Sequence, residues 1–114
     1  MTKVEPLLEL IANINGTLQS LPNDVSLAPL AHGSLSVIEK LLPAAIGDAE
    51  KLENIIAAGH RLAGNVACVK IQAHCSPEAS QLCDDTEELG CLLEFARRDA
   101  IQNHHRYEKA RSNT

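Results

Sequence analysis

Apolar residues near the start of the chain recur every three or four positions: Leu7, Leu8, Leu10, Ile11, Ile14 and Leu18 follow Pro6 until "SLPND" interrupts them. That spacing lines one side of a helix, and proline is tolerated in a first turn because its missing N–H would be unpaired there anyway. Helix one is expected over about 6–20. Ser26 is a candidate N-cap with Pro29 still in the first turn, and Leu30, Leu35, Val37, Ile38, Leu41 and Leu42 carry the pattern to Pro43, giving helix two over about 27–42. Gly47 closes the next connection, and Asp48 with Glu50 puts carboxylates where unpaired N–H groups and the positive end of the helix dipole favour them. Nothing then breaks the pattern before "CSPEAS", so helix three is expected over about 48–75.

Helix four has two candidate starts. In "CDDTEELG" the acids Asp84, Asp85, Glu87 and Glu88 crowd what would be a first turn, and Arg106, Lys109 and Arg111 fall near the other end, a polarity that matches the dipole over about 84–111. The other start uses Ser76 as cap and Pro77 as first helical residue. The chain has no internal repeat, low-complexity tract or long linker.

Helix three is apolar on two sides. At about 100° per residue, Leu52, Ile55, Gly59, Leu62, Val66, Val69 and Ala73 share the face expected to be core. Ala57, Gly64, Cys68, Ile71 and Cys75 form a second stripe nearly opposite, with Asn54, Arg61, Asn65 and Gln72 along one flank between them. Such a helix is normally covered on both sides. Helix four offers one apolar face, Leu82, Leu89, Leu92, Leu93, Ala96, Ala100 and Tyr107. Folded back about a turn between residues 79 and 80, it would bring Ala100 to Gly59, Ala96 to Ala63 and Leu93 to Val66. Close approach of small residues would offset the roughly 1 kcal/mol that a glycine costs inside a helix. Rods of about 28 residues are roughly 42 Å long, more than helices one and two can cover. The stripe of Ala57, Gly64, Cys68 and Ile71 is therefore expected to meet a second copy, as a homodimer about a two-fold axis.

Composition agrees with this pattern. The 114 residues suit one domain. Hydrophobic residues make up 45% but aromatic ones only 2%, so the core must be aliphatic and the fold class all-α. A net charge of −5 disfavours a nucleic-acid partner, which is held largely by Lys and Arg. No run of about 18 apolar residues predicts a membrane span, and "MTKVEPLLEL" carries a proline and two glutamates where a signal peptide needs an uninterrupted apolar stretch. A cytoplasmic location follows as an expectation, and it empties the glycosylation match Asn15-Gly16-Thr17.

The stretch "GHRLAGNVACVKIQAHC" concentrates the candidate chemistry. Cys68, Cys75, Cys83 and Cys91 are nearly symmetric about the expected turn, which resembles the helical hairpins of the twin-cysteine coiled-coil-helix families and would imply two disulfides. Their spacing departs from the usual pairs of those families. Cys68 and Cys91 also lie away from the seam, whereas a bridge needs Cα atoms within about 7 Å. Reduced thiols buried like small hydrophobes are expected instead. Zinc sites need tight donor pairs, and adjacent His74 and Cys75, or His104 and His105, diverge on a helix, so no metal is expected. His60-Arg61-Leu62-Ala63-Gly64 resembles the His-x-Leu-Lys-Gly motif of histidine phosphotransfer domains, acidic helical bundles in which an exposed histidine carries a phosphoryl group. The resemblance implies His60 as phosphoacceptor; Ala63 stands where the motif has its lysine, and Lys70 where a further glycine commonly follows. Neither a phosphate loop, a nucleophile elbow nor a His-Glu-x-x-His pair is present. The expected function is a non-catalytic protein-interaction module without cofactor, with phosphotransfer through His60 as the alternative.

Overall fold

A computed structural model describes residues 3–22 and 24–112, with residues 104–112 described by their backbone alone. It contains α1 (Glu5–Ser20), α2 (Ala28–Ala45), α3 (Ala49–Gln72) and α4 (Pro77–Ser112), and no strand among the described residues. The all-helical class expected from the aliphatic composition is therefore what forms.

α1 stops where the chain must extend. Leu21 precedes Pro22, whose ring disfavours helical backbone in the residue before it, and Leu21 is extended at φ −70° and ψ 150°. Buried Leu21 and Val25 pin the connection that follows. α2 does not end at Pro43 as expected but runs on to Ala45. Proline there removes a hydrogen bond and crowds the preceding turn, yet Leu42 and Ala45 on either side of it are both buried and hold that last turn against the core.

α3 opens as expected. Gly47 takes the left-handed conformation at φ 86°, and the Asp48 carboxylate accepts a hydrogen bond from the Lys51 N–H at 3.1 Å. It closes earlier, at Gln72, because His74 and Cys75 turn left-handed at φ 54° and 53°. The Cys75 N–H reaches back to the Lys70 carbonyl at 2.9 Å, which reverses the chain. Ser76 then caps α4, its hydroxyl accepting from the Ala79 N–H at 3.3 Å, and Pro77 leads the helix. The Ser76 start thus displaces the one at Asp84. Asp84, Asp85, Glu87 and Glu88 lie inside α4, because Ala79 and Leu82 are fully buried and give the earlier turns an apolar reason to form.

Each helix lies side by side with two others among the described residues: α3 with α2 and α4, and α1 with α2 and α4. Ile14, Leu35, Ile38, Leu42, Leu52, Ile55, Leu62, Leu82, Leu89 and Leu93 fill the centre. The seam between α3 and α4 is displaced from the expected pairing by about two helical turns, because the reversal lies at residues 73–76 rather than 79–80. A methyl group at Gly59 would sit 3.6 Å from Leu93 Cδ1, and the Cys83 thiol donates to the Val66 carbonyl at 3.9 Å. Ala63 consequently faces solvent instead of Ala96. The outline is elongated, 62 × 19 × 18 Å, in keeping with an α4 of 36 residues.

Candidate interaction surface

The polar flank of α3 is what fastens it to α2. Asn65 donates from Nδ2 to the Ser34 hydroxyl at 3.1 Å. The Gln72 side chain accepts from the Leu27 N–H at 2.9 Å through Oε1 and donates to the Ser26 hydroxyl at 2.8 Å through Nε2. Ser26 is therefore not the cap expected of it. Leu27 occupies that position and has no capping side chain, so an amide from α3 satisfies the exposed N–H instead.

Beside that flank lies the second stripe. Ala57, Gly64, Cys68 and Ile71 all face solvent, Ile71 to 73%. A methyl group added at Gly64 would meet no heavy atom within 4 Å. Across that polar flank, α2 exposes Leu30, Val37 and Leu41 to 58%, 44% and 50%. The apolar pattern of helix two does not by itself separate those three from the residues that are buried. The buried set is Ala31, Leu35, Ile38, Leu42 and Ala45, and the exposed three lie about 100° to one side of it. Their own spacing of seven and four was the available signal. Leu41 and Ala44 also line a shallow, mostly apolar cleft of about 270 Å³ with Lys51, Asn54 and Ile55.

Charge is distributed unevenly around the bundle. From Asn54 to Val69 α3 carries one formal charge, Arg61, and α2 carries none before Glu39. On the other side, α1 and the first twenty residues of α4 hold Glu5, Glu9, Glu78, Asp84, Asp85, Glu87, Glu88 and Glu94 with no Lys or Arg. The middle of the outward α2/α3 face is therefore nearly uncharged, with Glu50, Lys51 and Glu53 before it and Lys70 after it on α3, whereas α1 and the first part of α4 are acidic.

His60 is exposed on α3, one turn before Gly64, with exposed Ala63 where the phosphotransfer motif has a cation. Among the thiols, Cys68, Cys75 and Cys91 are exposed and Cys83 is half-buried, and all four are free. The expectation that they sit in the core is thus corrected: three of them are exposed and only Cys83 is partly covered. Burial pushes the Cys83 thiol pKa up, the Lys70 ammonium partly offsets this, and Asp84 and Cys75 add to the rise. Clefts of about 360 and 370 Å³ flank the α1–α2 connection, but His32 lies on one and His74 on the other, so the two imidazoles do not converge. Among the described residues no three His, Cys, Asp or Glu side chains gather as metal ligands. No described helix is long and apolar enough to cross a membrane. The side chains of His104, His105 and Tyr107 lie outside the described residues. Compared with known proteins, the chain matches no family model, no curated protein and no solved structure.

Proposed function

We propose that the chain is a non-catalytic interaction module of the cytoplasm, a long antiparallel hairpin of α3 and α4 with α1 and α2 packed along it, which acts by binding another protein and associates with a copy of itself. The observation that carries this reading is the α2/α3 face, where Leu30, Val37, Leu41 and Ile71 stand in solvent around a strip of small residues. Scattered apolar residues are ordinary on a protein surface, whereas two rows of them on adjacent helices favour a contact site. The acidic α1/α4 face argues against nucleic acid and anionic membrane as the partner. No cofactor or metal enters this reading.

Exposure of His60 is the observation that favours the alternative, phosphotransfer, since a phosphoacceptor must be reached by its donor. Against it, Ala63 offers the transferred phosphate no positive charge. One experiment separates the two: treat the protein with acetyl phosphate or phosphoramidate, measure acid-labile phosphate, and follow sedimentation of the same samples. The interaction module remains unmodified and sediments as an oligomer. Stoichiometric acid-labile phosphate that disappears in His60→Gln would replace this reading with phosphotransfer.

A further inference from the structure

We infer that the α2/α3 face seats a second copy of this chain across a two-fold axis that passes beside Gly64 at right angles to the helices. The inference rests on the self-association just proposed and names its surface and symmetry.

A two-fold contact requires one patch to complement itself, and both apolar rows on this face do so about the same level. On α3, Ala57 and Ile71 each lie seven residues from Gly64. Two α3 helices crossing antiparallel at Gly64 would therefore set Ile71, the bulkiest residue of each stripe, against Ala57 of the other. The glycine would fall at the crossing point, where the backbones come closest. On α2, Leu30 and Leu41 are equidistant from the midpoint of Leu35 and Ser36, so the same operation pairs Leu30 with Leu41 of the second copy and Val37 with Ser34. Asn65, next to Gly64, is hydrogen-bonded to Ser34, next to Leu35, which places both centres at one height along the bundle.

Charge favours this occupant. About an axis at Gly64 the α3 helices of two copies overlap over residues 56–72, about 25 Å at 1.5 Å each, and the bundle is 19 Å across. The overlap thus offers about 480 Å² per copy, a small and reversible interface beside the ~800 Å² that each partner gives to a standard one. Two copies joined here turn their eight-carboxylate faces outward, on opposite sides of two bundles each 18 Å thick. That separation exceeds a Debye length of about 8 Å several-fold, whereas any pairing through α1 and α4 would oppose the acids directly. Gly64 costs a lone helix roughly 1 kcal/mol, and a methyl group there would meet nothing within 4 Å; the crossing point gives it a role.

The test is sedimentation equilibrium of the full chain and three variants, Gly64→Arg, Val37→Asp and the α4 control Phe95→Asp. All three positions are exposed, so the far-UV circular dichroism of each variant should match the wild type. Wild type and Phe95→Asp are expected to be dimers, while Gly64→Arg and Val37→Asp weaken dimerisation at least about tenfold. Dimers that persist in both face variants would refute this surface and leave self-association standing. A wild type monomeric throughout the micromolar range would refute both, and leave the face to a different protein. The axis has its own readout: with the four native cysteines replaced by serine or alanine, Gly64→Cys should oxidise to a covalent dimer and Phe95→Cys should not. The reverse result would overturn the proposed symmetry.

Discussion

The thiol of Cys83 lies against the Val66 carbonyl at 3.9 Å and is half-buried, whereas Cys75 and Cys91 face solvent outside the proposed interface. Thiolate, not thiol, is the reactive species, and desolvation holds the Cys83 proton on to a higher pH than usual. Alkylation at mildly alkaline pH, followed residue by residue by mass spectrometry, should therefore modify Cys83 more slowly than Cys75 and Cys91. Because the folded-state pKa is raised, the contribution of this thiol to stability is intact below its ordinary value and is lost as pH rises through the shifted one. Little of this was legible in the sequence. The even spacing of the four cysteines gives their position around each helix, but exposure depends on which sides the neighbouring helices occupy. Cys68 shows the same limit: its place opposite the core stripe was readable, and the lack of a covering helix was not.

At the level of elements, starts and stops were readable where a local side chain decides them, as at Asp48, Gly47 and Pro6. They were misjudged where burial outweighs local preference. Pro43 looked like an end but is carried by buried Leu42 and Ala45, and the acids from Asp84 to Glu88 looked like a start although Ala79 and Leu82 already anchor the helix before them. The start of α2 depends on a residue 45 positions away, since Gln72 accepts from the Leu27 N–H, and no local pattern could have revealed it. Replacing Gln72 by alanine leaves that N–H without its partner and should cost about 1 kcal/mol in urea unfolding. Gln72→Glu keeps an acceptor in place and should recover part of the loss. An unchanged midpoint in Gln72→Ala would show that the cap carries no weight.

Across the whole molecule, the aliphatic composition and helical periodicity were enough to set the class and the number of helices, and the second stripe on α3 was visible as soon as its residues were placed on a wheel. The extent of the face was not, because Leu30, Val37 and Leu41 look like core until the packing of α2 against α1 and α3 turns them outward. Small on α3 and bulky on α2, the two rows balance about one level, and the acids gather on the far side; surface shape and charge thus point to the same partner. The most direct measurement of that claim is a dilution series of amide proton–nitrogen NMR spectra. The account predicts concentration-dependent shifts centred on Gly64 and reaching Leu30, Leu41, Ala57 and Ile71, with α1 and the acidic half of α4 unmoved. Spectra that do not change with concentration, or changes confined to α1 and α4, would contradict it.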